Sequence, residues 1–130
     1  MENAPLRESM IDYFKDISTF EGQKERKVGD VICDWYDFLY YPFRVAEEPP
    51  HFFKGAGERA IKEFDSSFSQ KEREAMAEFH EYFSSIKDKL RKKYDGEDKL
   101  ENLQKQDFWI KFTKKAKEIY ELLESSNFSR

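Results

Sequence analysis

Two rows of carboxylates have the spacing in this sequence that best suits metal chemistry. The rows are Asp30, Asp34 and Asp37, and Glu74, Glu78 and Glu81, each spaced i, i+4, i+7. This spacing stacks side chains on one helix face, and two such faces meeting inside a bundle could hold Mg²⁺ or Mn²⁺ through oxygen ligands. Each row also lies opposite its helix's apolar stripe, which favours the alternative interpretation of a solvated face. The metal hypothesis is a divalent-metal-dependent hydrolase of phosphorylated small molecules, with ligands Asp30, Asp34, Glu78 and Glu81.

One of these rows carries a short resemblance to a known family. The four residues Val28-Gly29-Asp30-Val31 resemble a fragment of the metal helix of all-α nucleotide pyrophosphohydrolases, in which a Glu precedes the Gly-Asp step. Here Lys27 occupies the position of that Glu, and no Glu-x-x-Glu pair lies within residues 21–26. The resemblance implies a carboxylate metal site, but it covers four residues and identifies no family.

Histidine and cysteine offer little further chemistry. Glu48-x-x-His51 matches the letters of a di-iron bundle motif but contains two prolines, which exclude a helix there. His80 flanks an apolar stripe, where a half-buried histidine is ordinary. Cys33 is the single cysteine, and its acidic neighbour disfavours a thiolate, so we expect an inert, packed thiol. No nucleotide-binding glycine motif or catalytic serine motif is present, and the sequence predicts neither catalytic residues nor a cofactor.

The segment from Tyr40 to Phe53 concentrates aromatic rings around three prolines. Its candidate binding residues are Tyr40, Tyr41, Phe43, Arg44, His51, Phe52 and Phe53. Exposed aromatic rings beside an arginine are typical of protein-binding hot spots, and prolines reduce the entropy lost on binding. The same rings would also suit a loop that packs over the open end of a bundle. The two interpretations are compatible, and both remain open at this stage.

Basic residues form two clusters in the C-terminal third, at 87–93 and 111–117. Lysines in such clusters can contact phosphates without sequence preference. The first cluster, however, also suits the C-terminal end of a helix dipole, and the second would face acidic residues if the last helices form a hairpin. The charge of the whole chain is −4, with 11 basic and 18 acidic groups in residues 1–86 against 12 and 9 in residues 87–130. This balance disfavours nucleic acid as a partner.

Apolar residues recur at helical spacing through most of the chain. The first predicted helix begins after Asn3 and extends its apolar face to Phe20, and the second spans 28–40. A short helix at 58–65 precedes the clearest one, at 69–94, which opens with the capping box Ser69 and Glu72. The apolar face then shifts, which predicts a break within residues 104–107 before a final helix.

Composition places these elements in one domain. A chain of 130 residues suits one core, and the 17% aromatic content supplies it despite 38% charged residues. The sequence therefore predicts an all-α, single-domain bundle over residues 1–130, with five or six helices and a long aromatic and proline-rich loop after the second helix. No membrane-spanning stretch or signal peptide is recognisable, and we expect a cytoplasmic protein. The leading functional hypothesis is a small protein-interaction module, adaptor or regulatory, that binds another protein or forms a homodimer.

Overall fold

The computed structural model describes residues 4–40 and 62–125. Its longer helices are α1 (Ala4–Ile17), α5 (Gln70–Lys93) and α6 (Asp107–Ser125). Shorter elements are α2 (Phe20–Gln23), α3 (Val28–Cys33), a π-helix (Asp34–Leu39), α4 (62–67) and a 3₁₀ turn (Leu100–Leu103). Within these ranges no strand is present beyond an isolated bridge between Lys27 and Lys99. The all-α prediction is confirmed.

The core lies where α1 and α5 each pack against α6. Fully buried aromatic rings form its centre: Phe14, Trp35, Phe79, Phe83, Trp109 and Phe112. Most of their contacts are edge-to-face, as in the pair Phe14 and Phe79, whose centroids are 5.1 Å apart. Such geometry sets the positive edge of one ring against the negative face of another. None of the helices in the described ranges combines the length and apolar character that crossing a membrane requires.

The first predicted helix is divided in two near its end. Helix α1 stops at Ile17, and Thr19 caps α2 by accepting the Gly22 amide at 2.9 Å. Phe20, which we predicted on the buried face of one continuous helix, is 43% exposed because the break rotates it away from the core. A Cβ at Gly22 would lie 2.4 Å from the Asp16 carbonyl oxygen, so the two helices can approach this closely only with glycine here.

A distant turn caps the start of α3. The first amides of a helix have no partner inside it, and here Val28 and Gly29 donate to the carbonyls of Asp98 and Gly96 at 2.8 and 2.9 Å. Gly29 permits this approach, since a Cβ there would lie 3.0 Å from the Gly96 oxygen. The connection between α5 and α6 is thereby hydrogen-bonded to the N-terminal end of α3.

The second predicted helix changes its winding halfway. After Cys33 the backbone forms a π-helix, and the Tyr40 amide donates to the Trp35 carbonyl at 2.9 Å, five residues back. In an α-helix, residues five apart point in different directions, at about 100° per residue. In the wider π turn they lie above one another. Trp35 and Tyr40 consequently stack, with centroids 4.6 Å apart and planes inclined by 5°.

The bounds predicted for α5 and the start predicted for α6 are confirmed to within a residue or two. Ser69 caps α5 in a complete capping box with Glu72, and Tyr94 follows its last residue. The predicted break is also present: the 3₁₀ turn ends at Leu103, and α6 begins at Asp107. This break allows Leu100 and Leu103 to enter the core from a different direction than Trp109.

Candidate functional site

The stretch 41–61 is flanked by residues that are buried in the core. Tyr40, which precedes it, is 3% exposed, and Phe64, which follows it, is fully buried. Their rings meet edge to face at 5.6 Å between centroids. Tyr40 and Phe64, which lie on either side of the stretch outside the described residues, are thus held next to each other in the core. Rigid elements that hold the ends of a long connection in this way are a common support for binding segments.

Most of the predicted binding residues belong to the stretch between these anchors. Tyr41, Phe43, Arg44, His51, Phe52 and Phe53 lie outside the described residues. Tyr40 is described, and its assignment to an exposed binding surface is corrected here. The π turn stacks its ring on Trp35, and this contact removes the ring from solvent. Tyr40 anchors the segment and adds no accessible surface.

His80 adds a titratable group beside this root. Its ring lies 4.8 Å from Tyr40 and 5.3 Å from Tyr36, centroid to centroid. The Trp35 indole N–H donates to His80 Nδ1 at 3.1 Å. Because an indole nitrogen can only donate, this bond requires a lone pair on Nδ1 and places the imidazole proton on Nε2. Burial, and secondarily the charge of Lys87, lowers the pKa of His80 below its usual value.

Tyr36 forms the outer wall of the same cluster. Its hydroxyl shares a 2.7 Å hydrogen bond with Ser84, and the Lys87 ammonium lies 4.2 Å from its ring centroid. Burial raises the pKa of this tyrosine. One ring cluster is therefore formed by Trp35, Tyr36, Tyr40 and His80. Its inner side, at Trp35 and Tyr40, is buried, and its outer edge, at Tyr36 and His80, is polar and half-buried. We call these four residues the aromatic root.

The carboxylates proposed as metal ligands do not converge. Asp30 is exposed on α3, and Glu78 and Glu81 are exposed on α5. Glu78 lines a depression between α5 and α6, whereas Asp34 lines a cleft beside α1. In residues 4–40 and 62–125 no three His, Cys, Asp or Glu side chains are placed to hold a metal ion together. The convergence that the metal hypothesis requires is absent from the described residues, where Asp34 and Glu78 line different depressions.

Asp34 instead belongs to a different acidic group. It shares a cleft of about 280 Å³ with Asp12, Asp16 and Arg26. Arg26 pairs with Asp16. Partial burial raises the pKa of Asp34, with Asp30 adding to the shift and Arg26 opposing it. The side chain of Arg26 therefore supplies the positive charge that partly offsets the three carboxylates of this cleft.

Cys33 also departs from its predicted setting. We expected a packed thiol, but Cys33 is exposed. It lines a groove of about 390 Å³ between α3 and the end of α5, together with Ile32, Arg91 and Tyr94. The reason is its register: Val31, Ile32 and Trp35 face the core, and Cys33 falls on the other side of the helix.

Sequence reasoning missed the aromatic root, although one signal was present. Trp35 and Tyr40 are five residues apart, a spacing that places them together in a π turn but not in an α-helix. No corresponding signal points to His80 as their partner, because that contact joins residues 45 positions apart. Within the described residues every buried side-chain nitrogen or oxygen has a hydrogen-bond partner. No protein-family model, curated protein or solved structure matches this chain.

Proposed function

We propose that the protein is a small helical interaction module that binds another protein, or a second copy of itself, through the aromatic segment from Tyr40 to Phe53, in which Tyr40 is the buried anchor. The single observation that carries this proposal is the contact between Tyr40 and Phe64, which fixes the chain on both sides of the segment to the core. A segment held at both ends loses less entropy on binding than a free tail of the same composition. Its aromatic residues and Arg44 are the types that contribute most to protein interfaces.

The chemistry of the described residues supports binding over the metal-dependent alternative. The four carboxylates of that alternative lie on separate surfaces, so the observation on which it depended is missing from the described residues. In the described part of the chain, the buried side-chain nitrogen and oxygen atoms all have hydrogen-bond partners. The aromatic root is a packed ring cluster, and rigid clusters of this kind hold adjacent binding segments in place.

Photo-crosslinking tests the proposal directly. A benzophenone amino acid would replace Phe43 in one variant, Phe52 in a second and Phe20 in a third, and each would be irradiated in an extract of the source cells. Phe20 is the matched control because it is an exposed ring on α2, outside the proposed surface. We expect one discrete adduct from positions 43 and 52 that position 20 does not give. Mass spectrometry then identifies either a partner or the chain itself.

A second measurement makes the result quantitative. The identified partner is purified, and its affinity is measured for the unmodified protein and for Phe43→Ala and Phe52→Ala. Loss of about tenfold or more in either variant, with unchanged thermal unfolding, supports the proposal. Equal labelling from all three positions, or full affinity in both variants, would overturn it.

A further inference from the structure

The surface along which α5 and α6 pack carries a second set of aromatic and charged groups. Tyr82 and Phe108 lie half-buried there, and the Tyr82 hydroxyl donates to the Phe108 carbonyl at 2.8 Å. This bond fixes the tyrosine ring across the gap between the helices. We call the strip formed by Tyr82, Phe108 and the charged residues around them the α5–α6 seam.

Three lysines cover the rings at one end of the seam. The Nζ atoms of Lys111 and Lys115 lie 5.5 and 5.4 Å from the centroid of Tyr82, and that of Lys89 lies 4.7 Å from Phe108. Among the described residues, no carboxylate oxygen comes within 4.0 Å of these three ammonium groups. Lysines four apart on a helix repel each other. Here two of them converge on one ring, and no described carboxylate pairs with either.

The other end of the seam has the opposite charge. Glu78 and Glu118 line a depression of about 250 Å³ together with Phe79, Ile119 and Leu122, and Lys115, whose ammonium lies over Tyr82, lines it too. Lys89 and Glu78 are separated along α5 by about 16 Å, at ~1.5 Å per residue. The seam is thus a strip that is basic at Lys89 and Lys111 and acidic at Glu78 and Glu118. Lys115 lies between the two ends, beside a depression with both apolar and charged side chains.

We infer that the α5–α6 seam binds an amphipathic helix of a partner protein, with acidic residues of that helix on Lys89, Lys111 and Lys115. The charge pattern selects this occupant. A helix with acidic residues at one end and basic residues at the other satisfies both ends of the seam, and its apolar side chains would enter the depression. A nucleic-acid strand is negative throughout, so it would bring phosphates against Glu78 and Glu118.

This surface differs from that of the aromatic root. His80, in the aromatic root, and Tyr82, in the seam, point about 200° apart around α5, at about 100° per residue. The inference adds a second contact to the proposed interaction module and rests on that proposal only in taking the partner to be a protein.

The experiment uses the full chain and two fluorescent probes. One probe is a synthetic amphipathic helix with glutamates at one end, lysines at the other and a leucine face, prepared in both orientations. The other is oligothymidylate of similar length. Binding is measured by anisotropy at low and high salt, for the unmodified protein and for two double variants.

The double variants have identical charge changes on one helix. Lys111→Glu with Lys115→Glu reverses the charge over Tyr82, whereas Lys114→Glu with Lys117→Glu makes the same change off the seam on exposed positions. We expect the seam variant to lose about tenfold or more in peptide affinity and the control variant less than about twofold. Circular dichroism should show equal helix content in both.

Each remaining outcome decides against the inference. Equal loss in both double variants would mean a response to net charge alone, and preference for oligothymidylate would assign the seam to nucleic acid. Absence of peptide binding up to about 1 mM would remove the surface from consideration. A negative result here leaves the crosslinks at Phe43 and Phe52 unaffected, so the failure of one proposal is distinguishable from the failure of the other.

Discussion

Arg7 and Glu72 form a bidentate ion pair, with Nη1 to Oε1 at 2.8 Å and Nη2 to Oε2 at 2.9 Å. Glu72 is the capping-box residue of α5, and its side chain is 1% exposed. Arg7 also donates to the carbonyls of Ser67 and Leu123 at 3.0 and 3.2 Å. One guanidinium therefore ties α1 to the end of α4, the start of α5 and the end of α6.

Removal of Arg7 should destabilise the fold strongly. Arg7→Met leaves the buried Glu72 carboxylate without its cation, and we expect a loss of about 3 kcal/mol in the free energy of unfolding. Lys99→Met is the control, because Lys99 pairs with Glu25 at 3.6 Å on the surface and should cost less than about 1 kcal/mol. Urea unfolding followed by circular dichroism measures both, and equal costs would refute the structural role of the pair.

Gln23 should be as sensitive, although it carries no charge. Its side chain is fully buried. Its oxygen accepts from the Trp109 indole at 2.9 Å, and its amide nitrogen donates to Ile17 and Thr113 at 2.8 and 2.9 Å. Gln23→Met preserves volume but orphans these buried groups, at a cost of about 2–4 kcal/mol.

Gln104→Met provides the comparison for Gln23. Gln104 bonds at the exposed rim of the same network, to Phe20 and Gln23 at 3.0 and 3.3 Å. Water can replace these bonds, so we expect a cost below about 1 kcal/mol. Chemical unfolding monitored by tryptophan fluorescence distinguishes the two variants. A Gln23→Met protein as stable as Gln104→Met would show that the buried network contributes little.

Truncation of Tyr40 tests the anchor of the proposed binding segment. Tyr40→Ala removes the stack on Trp35 and the contact with Phe64. We expect it to lower the free energy of unfolding by about 3 kcal/mol and to increase acrylamide quenching of tryptophan fluorescence. Phe20→Ala, at a ring 43% exposed, should change stability by less than about 1 kcal/mol. If Tyr40→Ala behaves like the Phe20 variant, Tyr40 does not anchor the segment.

His80 makes stability depend on pH in a predictable direction. Its pKa is lowered in the folded protein, chiefly by burial and then by Lys87, while Glu81 opposes the shift. The unfolded chain therefore takes up a proton near pH 6.5 that the folded protein does not yet accept. Stability should be constant above pH 7 and should fall as the pH drops through 6.5 toward the lower folded pKa. Protonation would also set a second donor against the Trp35 indole N–H.

A pair of histidine variants isolates this contribution. His80→Asn keeps an acceptor for Trp35 but cannot titrate, so the fall in stability between pH 7 and pH 5.5 should be smaller than in the unmodified protein. His51→Asn removes the other histidine of the chain and should leave that fall unchanged. Thermal unfolding at each pH gives the comparison. Identical pH profiles for the unmodified protein and His80→Asn would contradict the assignment.

Local chemistry accounts for the features that sequence predicted well. The capping box at Ser69 and the break before Asp107 depend on residues within a few positions of each other, and both are confirmed. Most failures involve contacts between distant residues, whereas the error at Phe20 is local. Phe20 carried the correct periodicity for a buried face, but the turn at Ser18 and Thr19, which packs against Gly22, ended the helix before it.

The candidate sites show the same difference between local features, which the sequence predicts, and long-range contacts, which it does not. Asp30, Glu74, Glu78 and Glu81 are exposed, as a solvated helix face requires, but periodicity could not show that Asp34 is half-buried or whether the two rows meet. The lysines of the seam were visible as a cluster, whereas their positions over Tyr82 and Phe108 depend on how α5 packs on α6. Sequence indicated which side chains were available, and packing decided their neighbours.

By itself, then, the sequence determined an all-α protein, the positions of its long helices and the aromatic character of its core. These properties follow from the spacing of apolar residues and from caps that act within one helical turn. Only the tertiary structure decided that Glu72 would be buried against Arg7, that Tyr40 would turn inward and that the carboxylate rows would stay apart. Those outcomes depend on the contacts that each helix face makes with residues far away in the chain, and local spacing specifies a face without specifying its partner.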